Sequence, residues 1–168
     1  MGFKKTSETI AISFGLDETG ANTFTQEEIA LQLDVLNNEI FVVLAVDLNL
    51  LAPDALTGID TSTTSAVSST SQTAMPTLAN TNTIATARDF IRAGGFADGG
   101  VPFSRAASET YSGDVDYISL IATNNFFVQV QGSGNLAAKA VNGRMWGYRA
   151  RADASTYAAL VQSEVLSA

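Results

Sequence analysis

Glu39-Ile40-Phe41-Val42-Val43-Leu44-Ala45-Val46-Asp47-Leu48-Asn49-Leu50 is the stretch that decides the fold. Its even positions, Ile40, Val42, Leu44, Val46, Leu48 and Leu50, are all apolar. Its odd positions stay apolar as far as Ala45, then turn polar at Asp47 and Asn49. A period of two carried by β-branched and aliphatic residues reads as a strand. At about 3.3 Å per residue this strand is roughly 40 Å long. A domain of this size has a radius of gyration near ~15 Å, so one such strand crosses it from end to end. Half of the strand is apolar on both faces and needs cover on both. Phe41 and Val43, on the odd face, are expected to lie under a second layer of the same domain or under another copy. Asp47 and Asn49 are expected to face solvent or a loop.

The segments on either side repeat the pattern. Residues 9–14 alternate with Ile10, Ile12 and Phe14 on one face, and residues 16–21 read as a turn. Residues 25–35 alternate again, with Ile29, Leu31, Leu33 and Val35 inward and Ala30, Gln32 and Asp34 outward. Asn37-Asn38 then predicts an antiparallel hairpin with the long strand, which Pro53 closes because proline cannot donate to a central ladder. Residues 57–73 hold eleven Ser or Thr in seventeen positions. They read as an exposed loop, or as an edge strand on an outer surface, since Thr suits a pleated sheet. Residues 83–92 fit a helix or a strand, and the paired glycines at 94–95 and 99–100 open a long irregular loop through Gly113.

Residues 116–122 and 126–131 read as strands, followed by a loop at Gly132-Ser133-Gly134-Asn135. Residues 138–151 read as one further long strand, despite the hairpin signal Asn142-Gly143 inside it. Asp153 is placed to cap a helix over residues 153–166, with Tyr157, Leu160, Val161 and Val165 at helical spacing. A helix this short needs a docking partner. Six to eight strands without βαβ alternation predict a single mostly β domain over residues 1–168, an antiparallel β-sandwich or single jelly roll with long loops and a short C-terminal helix.

Composition narrows the function. The 168 residues contain no cysteine and no histidine, which removes thiolate chemistry, the commonest general base and the commonest metal ligand. Ser and Thr are plentiful, but nucleophilic catalysis needs an activating base, so an enzyme is not expected. The net charge of −8 opposes nucleic-acid binding, because phosphate contacts need clustered Lys and Arg. Charged residues make up only 15% of the chain, against about 25% in ordinary soluble domains. Such a surface tolerates packing against copies of itself. No apolar run is long enough to span a bilayer as a helix, and no signal peptide is expected.

Four groups of residues are candidate sites. Gly132-Ser133-Gly134-Asn135-Leu136-Ala137 mimics a dinucleotide fingerprint, but no strand–helix crossover surrounds it, and it reads as a hairpin loop. Asp114 and Asp116 lie two apart at a strand entrance with Glu109 nearby, and Asp98, Asp54 and Asp60 sit in turns. All are turn or edge residues first and calcium ligands second. Arg144 shares a face with Trp146 and Tyr148, whereas Arg149 and Arg151 lie on the other. That patch reads as cation–π packing or as an intersubunit or carbohydrate contact. No resident cofactor is expected.

The strand spacing across residues 9–151, and Tyr148-Arg149-Ala150-Arg151-Ala152-Asp153 leading into residues 155–166, resemble the small jelly-roll capsid proteins of icosahedral viruses. The resemblance implies a virion or extracellular particle, many copies of this chain, and contact with other virion proteins. Phe41, Val43, Trp146, Tyr148, Tyr157, Leu160, Val161 and Val165, read from the strand faces and the helical spacing, are expected at an assembly interface. The basic N-terminal arm of genome-wrapping members is reduced here to Lys4 and Lys5, so direct genome contact is not expected. A shell over an internal membrane, a decoration protein or an empty particle suits the chain better. The other reading is a β-sandwich recognition module that uses Trp146 and Tyr148 to bind a carbohydrate or a protein partner.

Overall fold

The long strand occupies the middle of one of two facing antiparallel sheets. The computed structural model describes residues 2–95, 101–104, 109–111 and 115–167. In chain order the strands are β1 Phe3–Lys5, β2 Ile10–Asp17, β3 Thr25–Ala30, β4 Glu39–Leu50, β5 Thr61–Ser68, β6 Thr83–Arg92, β7 Val101–Ser104, β8 Glu109–Tyr111, β9 Ser119–Ile121, β10 Asn125–Ser133 and β11 Ala140–Ala152, and helix α1 is Ala154–Ser167. The first sheet is built on β4 and β11; β1 and β2 pair with the free edge of β11, and β8 and β9 with that of β4. The second runs β3-β10-β5-β6-β7. The architecture is therefore a mostly β antiparallel sandwich with one short C-terminal helix, as the strand pattern predicts.

Alternation along β4 does not hold through its length. Val43 lies opposite Gly147 and Ala45 opposite Trp146, which leaves Leu44 as an extra residue in the ladder. This β-bulge resets the parity of the strand. Phe41 and Val43 point into the core between the sheets, and so do Val46 and Leu48 beyond the bulge. Ile40, Val42 and Leu44 belong to a second cluster on the outer face. The six even positions thus serve two different layers. At the bulge, a Cβ on Gly147 would sit 2.3 Å from the Val42 carbonyl oxygen and 2.5 Å from the Phe41 ring. Only glycine permits this approach of the two backbones.

Two expectations fail at the ends of β4 and β5. The hairpin between residues 25–35 and the long strand does not form: β3 pairs with β10 in the second sheet, whereas β4 pairs with β11. The Asp34 side chain accepts from the Leu36 N–H and caps a 3-10 turn over Val35–Asn37, while Asn38 adopts φ 54° and Gln32 φ 55°. These turns carry the chain from one sheet to the other. Leu31 and Leu33 remain buried, but Val35 is exposed. The Ser/Thr-rich stretch is a loop only at its two ends, residues 57–60 and 69–73; Thr61–Ser68 form β5, which is not an edge strand. β5 lies between β10 and β6 at the centre of the second sheet, with Thr61, Thr63, Ser65 and Ser68 buried. The hydroxyls of Thr61, Ser65 and Ser68 are tolerated there because they bond to their neighbours, whereas Thr63 Oγ1 meets no partner among the described residues. Ser65 Oγ donates to the Gln129 carbonyl at 2.8 Å, and Gln129 Nε2 donates to Ser68 Oγ at 2.7 Å.

Smaller differences follow the same logic. β2 continues to Asp17, so the expected turn starts later; residues 83–92 are a strand; and the ladder in residues 116–122 is confined to Ser119–Ile121. The expected irregular loop contains β7 and β8, which pair with β6 and β4. β11 runs unbroken through Asn142-Gly143. The Asp153 Oδ1 accepts the Thr156 N–H at 2.8 Å, which starts α1 as the sequence predicts. The helix docks on its own sheet, with Tyr157, Leu160 and Val161 packed over Ile40, Val42 and Ala150.

Candidate interaction surface

The outer face of the first sheet divides into an apolar half and a polar half. The apolar half lies beneath α1 and is completed by Phe3, Tyr117 and Tyr148. The rings of Phe3 and Tyr117 meet edge to face at 5.8 Å, and Lys5 Nζ lies 4.8 Å above the Tyr148 ring. The polar half forms a shallow pocket of about 200 Å³ lined by Asp47, Asn49, Asn142, Gly143, Arg144 and Trp146. Register explains the grouping, since Arg144 lies opposite Asp47 and Asn142 opposite Asn49. Arg144 Nε donates to Ser13 Oγ at 3.1 Å, and its guanidinium lies 5.9 Å from the centre of the Trp146 ring. Arg149 turns the other way, as expected. Its guanidinium pairs with Glu39 at 2.9 Å and donates to the Leu31 carbonyl at 2.7 Å.

The expected interface residues separate into three environments. Phe41 and Val43 are fully buried between the sheets, so no neighbouring copy can reach them. This corrects their assignment to an interface: the cover over the odd face is the second sheet. Tyr148, Tyr157, Leu160 and Val161 come together beneath and along α1, while Trp146 stands apart in the polar pocket. Val165 is 63% exposed.

Gly132 and Ser133 end β10, and the connection that follows, residues 134–139, joins β10 to β11 across the two sheets, so it is an arch and not a hairpin. The buried Glu18 carboxylate holds it, accepting the N–H groups of Thr23 at 2.8 Å, Gly132 at 2.9 Å and Lys139 at 2.7 Å. Asn135 Oδ1 accepts the Asp54 N–H at 2.9 Å, and Asn135 Nδ2 donates to the Ser62 carbonyl at 2.8 Å. Lys139 Nζ pairs with Asp54 Oδ1 at 2.7 Å. Gly134 takes φ +71°, and a Cβ there would lie 2.4 Å from the Asp60 carbonyl. Each group of the glycine-rich motif is thus absorbed by the chain's own architecture.

Of the candidate calcium carboxylates, Asp54 and Asp60 are engaged in the same way, whereas Asp116 is exposed ahead of β9. Hydrogen bonds from Lys139 and then from the Leu136 N–H hold the Asp54 carboxyl below its ordinary pKa. The Gly94 and Ala93 N–H groups do the same for Asp60, which also faces Arg92 at 3.6 Å. Among the described residues no three acidic side chains gather as a metal site. Asp98, Asp114 and the Glu109 side chain lie outside the described residues.

Sequence reading missed most of the apolar residues that remain on the surface, and it placed Val35 inward. Ten large apolar side chains are exposed among the described residues, including Leu36 at 95%, Leu136 at 77% and Leu78 at 67%. Most sit in connections where no periodicity marks them; Ile10 opens β2, and Val165 and Leu166 lie near the end of α1. Val35 and Leu36 stand where β4 begins, and Leu51, Ile59 and Leu136 stand at the opposite end.

No protein-family model and no curated protein matches the chain. Among solved structures it is similar to the Merkel cell polyomavirus VP1 unassembled pentamer, with a TM-score of 0.42 and 8% identity over 88% of this chain and 96% of that one. It is also similar to a Desmodium yellow mottle tymovirus structure, with a TM-score of 0.30 and 11% identity over 88% and 91% of the two chains. Both likenesses are weak at these scores.

Proposed function

We propose that this chain is a structural subunit that packs with copies of itself into a virion-like shell through the loops at the two ends of its sandwich. The observation that carries this reading is the placement of the exposed apolar side chains. A single exposed leucine needs no explanation. Here Val35 and Leu36 lie at one end and Leu51, Ile59 and Leu136 at the other, on a chain whose charged residues are only 15% of the total. Patches at opposite ends favour head-to-tail contacts, which close into rings or continue as open arrays. The core contribution of Phe41 and Val43 is to make the block rigid. The particle is a virion or other extracellular particle, and no catalytic step or nucleic-acid contact belongs to this reading. Leu36→Asp and Leu136→Asp change the two ends without touching the core. Each is expected to release monomers in sedimentation velocity while leaving the circular dichroism spectrum unchanged. Assembly that survives both substitutions would refute the end-to-end contacts.

The Trp146 pocket favours a second reading, a saccharide-binding module. Sugar sites place a few fixed polar groups around an apolar plate, and here Asp47, Asn49, Asn142 and Arg144 surround one indole. Trp146 is the single tryptophan of the chain, so its fluorescence reports on the pocket directly. A saturable change on titration with mono- and oligosaccharides, lost in Asp47→Ala, supports this reading. A monomeric chain that shows such binding would favour it over self-assembly.

A further inference from the structure

Helix α1 carries one acidic residue, Glu164, and directs it inward. Glu164 is 6% exposed, and its Oε1 accepts the Ala122 N–H at 2.8 Å. Its Oε2 is buried and meets no donor at hydrogen-bonding geometry among the described residues. Burial pushes the carboxyl above its ordinary pKa, against the opposing pull of the Ala122 N–H and of the Thr123 N–H and hydroxyl. No basic side chain among the described residues pairs with it. A buried carboxylate without a cation is costly, so the missing partner is itself a clue.

Glu164 borders a shallow surface pocket of about 280 Å³ whose wall includes Ser69, Thr70, Ser71, Thr123, Phe127 and Val165. The accessible lining is mainly apolar, the Phe127 ring forms part of it, aromatic rings attract cations, and the Glu164 carboxyl is the one acidic group beside it. The last turn of α1, which contains Glu164, has no basic residue, and the negative end of a helix dipole adds to the same field. The lining contains no Lys or Arg. Its chemistry is complementary to a cation with several N–H donors and an apolar stem.

We propose that this pocket binds a primary alkylammonium group, with Glu164 as its counter-charge and Phe127 as its aromatic wall. The ammonium comes from a free amine or from a lysine side chain. The site does not depend on the assembly reading, because it is complete within one chain.

The test is an amide NMR titration of the full chain with n-butylammonium chloride at low ionic strength, with n-butanol as the uncharged match. A saturable shift of the Ala122 N–H, which reports on Oε1, is expected with the ammonium and not with the alcohol. Glu164→Gln keeps an acceptor for Ala122 and removes the charge, and is expected to weaken binding about tenfold or more, as loss of a charge-assisted hydrogen bond does. Phe127→Leu provides an independent variant and is expected to weaken it severalfold. Equal binding of Nα-acetyl-lysine methylamide assigns the site to lysine side chains, and binding of n-butylammonium alone assigns it to free amines. Absence of a saturable shift, or equal affinity for butanol or in Glu164→Gln, overturns the proposal.

Discussion

At Gly147 the backbones of β4 and β11 come closer than any side chain allows. A methyl group there would lie 2.3 Å from the Val42 carbonyl oxygen, and rigid backbone cannot yield as a flexible side chain would. Gly147→Ala is expected to destabilise the fold by about 2 kcal/mol, the usual range for forced overpacking, read as a lower urea midpoint with an unchanged slope. A midpoint equal to wild type would mean that the bulge relaxes freely. Glu164 makes a second residue-scale prediction. Its folded pKa is raised above the ordinary 4.5, so ionisation is harder in the folded chain than in the unfolded one. Stability attributable to this group therefore falls as pH rises from about 4.5 through the folded pKa, and the full penalty is present above it. Tyr157, whose own pKa is raised by burial and then by Glu164, is the titratable neighbour and stays neutral in this window. Glu164→Gln is expected to melt about 2–4 °C higher at neutral pH, the shift that ~1 kcal/mol makes in a domain of this length. That advantage should vanish below pH 4. An equal gain at every pH would assign the effect to packing and not to charge.

At the scale of elements, β4 shows what the sequence can and cannot display. Its length and its need for cover on both faces follow from the residues alone, and the covers are the second sheet and α1. The bulge at Leu44 was hidden because both Leu44 and Ala45 are apolar, so a parity change leaves no mark on the pattern. β5 was misjudged for a related reason. Its burial depends on partners more than sixty residues away, such as the Gln129 carbonyl that accepts from Ser65, and composition alone makes Ser and Thr look solvated. The helix was legible because its Asp153 cap is local. Phe41 and Val43 read as interface or core, and only the second sheet decides between them. The bulge predicts an asymmetry between deletions. Removing Leu44 restores a regular ladder and keeps Phe41, Val43, Val46 and Leu48 in phase, so the cost is the loss of one half-buried leucine, about 1–2 kcal/mol. Removing Leu48 moves Asn49 into its place in the core, a cost of about 3–5 kcal/mol. Equal losses in thermal melts of the two variants would contradict the bulge.

At the scale of the molecule, the outer faces are partly covered, and most of the exposed apolar side chains lie in connections. Outside the first sheet stand α1 and the Trp146 pocket. Outside the second, residues 69–82 close over Gln26 and Gln129, with the Gln72 N–H donating to Gln26 Oε1 at 2.8 Å. The apolar surface left over lies mainly in the connections, and it is this surface that suits contact with further copies. The most direct measurement is the mass of the wild-type chain by light scattering across a hundredfold dilution series. The account predicts species many times heavier than the 17.6 kDa chain that shrink on dilution. A single species at 17.6 kDa at every concentration would contradict it.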